Sequence, residues 1–339
     1  MKLMKRILGI ILILVITAIT IYKLGPKPKT FTKEALVSEE TMAKVPSIDG
    51  LQNYVKSDLK SNKVKFNNQS RLYWADTSHR KTEYVILYLH GFSASPMEGD
   101  PVHRMIAQKY GMNLYVPRLA EHGLLEDNNM LNFTAEKYLQ SAQEALVAAQ
   151  KIGDKVIIMS TSTGSTVGLY LASEKQNEIE GLICYSPNVK LYDSKASLLT
   201  GPWGIEISRI VKGGNNHTWE APEGAEAYWH LEYRLEALVE LQRLVEGTMF
   251  QATFNTVDIP TFVGYYYKNE KEQDRAVSVE AIKHMYKQLG SSMKQISVFP
   301  EAGEHCIPSR FFSEDVEGVL EATSQFMEDA FSVKPKSTD

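Results

Sequence analysis

The sequence predicts an α/β fold built on a mainly parallel, doubly wound sheet, and three observations predict it. Short apolar runs, too unbroken to be half-exposed strands, recur at residues 84–89, 113–116, 156–159, 181–185, 261–265 and 295–299. Helical periodicity fills most of the intervals between them, as the crossover from one parallel strand to the next requires. His90, Ser162 and His305 each follow the end of such a run, where open sheets of this kind place their sites.

The first element lies outside that pattern. Residues 7–22 form a sixteen-residue apolar run behind Lys2, Lys5 and Arg6, a length between a signal-peptide core and a full membrane span. No small-x-small cleavage site follows and no cysteine offers a lipid attachment point. An uncleaved single-pass anchor over residues 1–23 is therefore expected, with Lys5 and Lys23 extending the span by snorkelling and the body outside the cytoplasm. Residues 24–45, with Pro26 and Pro28, read as a polar stalk that holds the body off the bilayer.

The body follows as a core over 46–187 and 256–333, with an insertion at 188–255 and a tail at 334–339. Ser47 reads as an N-cap, before Ile48, Leu51, Tyr54, Val55 and Leu59 at helical spacing. Residues 63–66 and 71–74 are expected strands, ahead of the run at 84–89 that ends in His90-Gly91-Phe92. Residues 97–110 are expected to be helical, with Pro101 tolerated in the first turns. Residues 132–152 form an amphipathic helix with Tyr138, Leu139, Ala142, Ala145, Leu146 and Ala149 on one face. The strand at 156–159 runs into Ser160-Thr161-Ser162-Thr163-Gly164 and a helix through Leu171.

Roughly seventy residues separate the runs at 181–185 and 261–265, where one crossover helix would suffice. That interval is an insertion between the sixth and seventh core strands, read as a helical cap over the sheet's carboxyl edge. Its second half, 227–249, is expected to be one helix bearing Tyr228, Leu231, Leu235, Leu238, Val239 and Leu244. Its first half, with Gly201-Pro202-Trp203 and Gly213-Gly214, reads as irregular.

Charge and cysteine content exclude several functions. The formal net charge of −4 hides an asymmetry, because Lys2, Lys5, Arg6, Lys23, Lys27 and Lys29 all precede the first acidic residue, Glu34. Without those six, the remaining 31 basic residues face 41 acidic ones, a net of −10 that argues against nucleic acid as a partner. Cys184 and Cys306 are the only cysteines, and neither a C-x-x-C nor an H-E-x-x-H spacing is present. No metal site or disulfide framework is implied, and both thiols read as buried core.

The segment around Ser162 has the form of a nucleophile elbow. A serine attacks only when its Oγ stands clear of the backbone beside a base, and a sharp strand-to-helix turn gives that exposure. Such a turn tolerates only small neighbours. Gly164 fits two residues after Ser162, whereas Ser160 stands where glycine is usual two residues before it. His305, in the loop after the last strand, is the candidate base. Asp274, after the preceding strand, is the candidate for the carboxylate that orients it, with Glu270, Glu272 and Asp258 as rivals. Gly91 permits a tight turn, and the N–H groups of Phe92 and Thr163 are the candidate oxyanion hole. The chain order Ser, Asp, His at successive strand ends is a joint requirement that accident seldom satisfies.

With these residues in place, the chain resembles the α/β-hydrolase superfamily, and within it the monoacylglycerol lipase and bacterial carboxylesterase branch. The resemblance covers residues 51–331. It rests on His90-Gly91-Phe92, on Pro117 through Glu121-His122-Gly123, on the segment from Ser160 to Gly164, on Ile259-Pro260 leading to Asp274-Arg275-Ala276-Val277, and on His305. It implies Ser162 as nucleophile, Asp274 as acid, His305 as base and the Phe92 and Thr163 amides as oxyanion donors. His122 falls in a loop whose role in that family is structural or cap-contacting.

The function expected is hydrolysis of carboxylic esters, acylglycerols or short to medium acyl esters, through an acyl-enzyme and without a cofactor. Two rival readings stand beside it. One is a catalytically silent, membrane-tethered binding module, favoured by Ser160. The other is an aminopeptidase or amidase on the same triad, with Glu220, Glu223 or Glu226 of the cap receiving a substrate amine.

Overall fold

A computed structural model of the chain describes residues 2–32, 43–57 and 63–336. Helix α1 spans Lys2–Lys23, and its stretch Met4–Lys23 is exposed and long and apolar enough to cross a membrane. The segment after it does not stand away from the body. The Trp203 indole N–H donates to Ile21 O at 3.1 Å and its backbone N–H to Pro26 O at 2.7 Å. Arg243 Nε donates to Lys29 O at 2.5 Å, and Phe31 packs edge-on against Tyr170. Residues 24–31 therefore lie along the body instead of forming the free spacer expected, because Trp203, Arg243 and Tyr170 supply partners for their backbone and for Phe31. Residues 33–42 of that segment fall outside the described residues.

Helix α2 (Ile48–Val55) buries Leu51 and Val55; Leu59 lies outside the described residues. Seven strands then form the central sheet: β1 (Arg71–Tyr73), β2 (Thr82–Leu89), β3 (Asn113–Val116), β4 (Gly153–Thr161), β5 (Gly181–Tyr185), β8 (Thr261–Tyr265) and β9 (Lys294–Val298). Their order is β1-β3-β2-β4-β5-β8-β9, with every pair parallel except β1 with β3. Residues 63–66 do not add a strand. Val64 makes one isolated bridge with Leu124, and the chain turns away at once as Asn68 N–H donates to Lys65 O and Asn67 takes φ 63°. The insertion consequently falls between the fifth and sixth strands of the sheet.

Successive residues of β2 feed two cores. Val85, Leu87 and Leu89 point to one face, covered by α4 (Ala135–Gln150), α5 (Thr163–Glu174) and α9 (Val279–Gln288). Ile86 and Tyr88 point to the other, covered by α3 (Val102–Tyr110) and α10 (Val316–Phe331). All five side chains are fully buried, each worth about 1.5–3 kcal/mol of transfer free energy. Burial on both faces is why β2, β4, β5 and β8 read as continuous apolar runs, whereas the edge strand β9 is only partly buried and not, as expected, enclosed on both faces. Helix α4 buries all six residues of its expected face, and the Thr134 side chain caps it by accepting from Lys137 N–H.

Helix α3 starts at Val102, not near residue 97. Pro101 has no N–H to give and restricts the backbone before it, so residues 93–100 form a looped approach. The insertion also differs from expectation. Its first half holds α6 (Gly204–Lys212), closed by Gly213 at φ 69°, and β6 (Asn216–Thr218). In its second half, β7 (Glu232–Arg234) pairs antiparallel with β6 before α7 (Leu235–Thr248) begins, and the short α8 (Gln251–Thr256) follows. The spacing of Tyr228 and Leu231 reflects an aromatic cluster with Trp219, Trp229, Phe311 and Phe312, not a helix face.

Candidate active site

The β4–α5 junction is a sharp elbow. Ser162 takes φ 54° and ψ −120°, outside the regions L-residues favour, and immediately precedes α5. Such a conformation costs about 1–3 kcal/mol and persists only where its surroundings fix it. Here Ser162 N–H donates to Tyr185 O at 2.9 Å, and Ser162 O accepts from Ser165, Thr166 and Asn188. Gly164 is required for closeness: a Cβ there would lie 2.0 Å from Leu89 O.

Ser160 does not prevent the turn. Its fully buried hydroxyl donates to Ile183 O at 3.3 Å and pairs with Ser165 Oγ at 3.0 Å. A side chain where glycine is usual is thus hydrogen-bonded to the neighbouring strand and to the first turn of α5.

His305 and Asp274 meet. His305 Nδ1 lies 2.6 Å from Asp274 Oδ2, while Asp274 Oδ1 accepts the Ala276 and Val277 N–H groups at 2.9 and 3.0 Å. The Asp274 side chain is fully buried and that of His305 is 17% exposed. The rivals lie elsewhere, Glu270 on Tyr267 and Glu272 on Asn269, with Asp258 exposed. Burial disfavours charging His305, but the carboxylates of Asp274, Glu98 and Glu304 outweigh it and raise its pKa above the ordinary imidazole value. Ser186 Oγ donates to His305 O at 2.7 Å and fixes the loop.

Ser162 and His305 line one cavity of about 500 Å³, together with Phe92 and Thr163. Ser162 Oγ has no hydrogen-bond partner among the described residues, and no bond joins it to His305. The Phe92 and Thr163 N–H groups likewise donate to no protein acceptor among those residues, and the Thr163 N–H opens a helix whose dipole favours negative charge there. The cavity is walled by Trp219, Trp229, Tyr233 and Phe312, with exposed Arg275, Glu220 and Glu304 at its outer part. Glu223 and Glu226 do not line it. A larger cavity, about 790 Å³ beside β1 and α3, holds no nucleophile and base.

The other histidines of the early loops are structural. His90 is buried, with Nδ1 on Gly91 O and Nε2 accepting the Leu119 N–H at 3.0 Å, and burial holds its pKa down at about 4. His122, also buried, packs against His90, Phe92, Phe133 and Tyr138 behind the cavity.

Sequence reasoning missed Glu98. It is 1% exposed, lines the cavity and accepts the Gly91 N–H at 2.7 Å. The signal available was Ser95-Pro96-Met97-Glu98-Gly99-Asp100-Pro101, where two prolines and a glycine argue for a loop over a helix surface.

No family model and no curated protein sequence matches this chain. Solved structures do. A metagenome-derived lipolytic enzyme described under LipS and LipT aligns at TM-score 0.63 and 16% identity over 79% of this chain and all of its own. A monoacylglycerol lipase from Paleococcus ferrophilus aligns at TM-score 0.57 and 11% identity over 77% of this chain and 98% of its own. The mouse alpha/beta hydrolase domain-containing protein 10 aligns at TM-score 0.54 and 13% identity over 77% and 91%. The sheet order, the elbow at Ser162 and these likenesses agree on one architecture: the chain has the α/β-hydrolase fold.

Proposed function

We propose that this chain is a membrane-anchored serine hydrolase that cleaves carboxylic esters, acylglycerols or short to medium acyl esters, through an acyl-enzyme on Ser162. The observation that carries the reading is the strained Ser162 elbow opening on the same cavity as the His305–Asp274 pair. His305 Nε2 takes the Ser162 Oγ proton as Oγ attacks the ester carbonyl. Asp274 holds Nδ1–H and steadies the imidazolium. The carbonyl oxygen, now anionic, receives the Phe92 and Thr163 N–H groups. Collapse expels the alcohol, protonated by His305, and leaves the acyl group on Ser162. A water deprotonated by His305 then releases the acid. Substrate binding closes the gap between Ser162 Oγ and His305, since catalytic hydrogen bonds tighten in the substrate complex.

The lipolytic neighbours and the aromatic, largely apolar cavity support an ester with an apolar acyl group. The exposed α1 supports the anchor, and residues 188–255 are read as the cap because nine of the cavity's lining residues come from them. A fluorophosphonate probe should label the wild-type chain and not Ser162→Ala, with turnover of p-nitrophenyl esters falling on the order of 10⁶-fold. Equal labelling of both proteins sinks the assignment. Aminoacyl anilides run beside the esters separate ester from amide cleavage.

A further inference from the structure

Glu98 is the buried carboxyl that the mechanism above leaves unused. It sits in the loop between β2 and α3, and its bonds reach all three loops that carry reacting groups. Oε2 accepts the Gly91 N–H at 2.7 Å, one residue before the oxyanion donor Phe92. Oε2 also accepts the Tyr88 hydroxyl at 3.1 Å, and that hydroxyl pairs at 2.8 Å with Oγ1 of Thr161, one residue before Ser162. Oε1 lies 3.9 Å from Sγ of Cys306, one residue after His305. A Cβ built on Gly91 would be 2.9 Å from Glu98 Oε1 and 3.0 Å from Ser162 Cβ. The carboxyl therefore lies within about 6 Å of the nucleophile's Cβ, beneath the oxyanion loop.

Resting on the hydrolase reading, we propose that Glu98 is a positioning residue that sets the oxyanion loop, the serine elbow and the histidine loop in mutual register, and that its negative charge supports protonation of His305. A carboxylate with three tethers fixes the donor of the oxyanion hole relative to the nucleophile and base, where a displacement of 1 Å costs on the order of 100-fold in rate. Its position is otherwise unfavourable, since a buried carboxylate without a cation is costly. The titratable groups that face it are Tyr88 from β2, Tyr138 from α4, and His305 and Cys306 from the histidine loop, while Asp274 and Glu304 act on His305. Burial drives the Glu98 pKa up, the Gly91 N–H and His305 oppose that rise, and it settles at about 7.

The test uses the full-length chain in detergent. Glu98→Leu removes the tethers, and kcat for a p-nitrophenyl ester is expected to fall at least about tenfold with KM within about threefold. Glu98→Gln keeps an acceptor for Gly91 N–H and Tyr88 without the charge, so most of kcat is expected to return. In Glu98→Gln the acid limb of kcat/KM, and the His305 imidazole titration followed by NMR, are expected to move to lower pH. Wild-type kcat in Glu98→Leu, or an unmoved His305 titration in Glu98→Gln, overturns the proposal. Should Glu98→Leu not fold, Tyr88→Phe, which removes the hydroxyl that joins Glu98 to Thr161, is expected to lower kcat with KM unchanged, and an unchanged kcat there counts against the register. The imidazole titration is read without turnover, so it decides the coupling even for a chain that cleaves no ester, an outcome that would overturn the hydrolase reading instead.

Discussion

Replacing Glu98 by glutamine should make the protein more stable as the pH rises, although the side chain removed is hydrogen-bonded on both oxygens. Burial moves this carboxyl from an ordinary 4.5 to about 7. Its folded pKa is raised, so the sign is fixed: the wild type carries no penalty below the unfolded pKa, loses stability as the pH climbs through the interval, and loses no more above the folded value. At about 1.4 kcal/mol per unit, the difference of roughly 2.5 units amounts to about 3 kcal/mol. Glutamine does not titrate and escapes that loss. Urea unfolding of both proteins at about pH 4.5 and about pH 8.5 gives two stability differences. Their change between the two pH values should favour glutamine by about 3 kcal/mol, and pH-independent changes in hydrogen bonding cancel in that comparison. A change below about 1 kcal/mol would refute the reasoning, for Glu98 would then ionise in the folded chain nearly as it does unfolded.

Other predictions follow from the same geometry. Asp274→Asn should lower kcat on the order of 10⁴-fold, because the histidine loses the tautomer that accepts the serine proton; ester turnover reads it directly. Activity should fall on the acid side with an apparent pKa above 6.5, the direction in which His305 is shifted, and a pH–rate profile checks this. Ser160→Gly should keep kcat within a few-fold while losing about 1 kcal/mol of stability from two buried hydrogen bonds; loss of activity would mean that the Ser160 hydroxyl shapes the elbow itself. Gly164→Ala, with its Cβ 2.0 Å from Leu89 O, should cost about 3 kcal/mol or more and abolish probe labelling. The full-length chain should stay in the membrane pellet after alkaline carbonate washing, and its appearance as a shortened soluble form would replace the anchor by a cleaved signal.

Most of the sheet was legible because β2, β4, β5 and β8 are buried on both faces, which demands short unbroken apolar runs. Ser162 and Asp274 stood out as candidates because each follows such a run, and His305 because it follows the edge strand β9. Glu98 was not, since its burial arises from contacts with Gly91, Tyr88 and Cys306, residues 7, 10 and 208 positions away. The insertion was misread for a related reason. Tyr228 and Trp229 dock on Phe311, and no local periodicity distinguishes such tertiary packing from the stripe of a helix. Residues 24–31 have the composition of a spacer, and only the presence of Trp203 and Arg243 nearby makes them part of the body.

The bonds from Trp203 to Ile21 and Pro26 have a kinetic meaning. On the anchored reading they leave no slack between the bilayer and the insertion, whose β6 supplies His217 to the cavity wall. A hydrolase anchored in this way would search in two dimensions at a fixed height. Its rate on an amphiphilic ester would follow the mole fraction of that ester in the surface, and diluting the surface with inert lipid should slow turnover at constant bulk concentration.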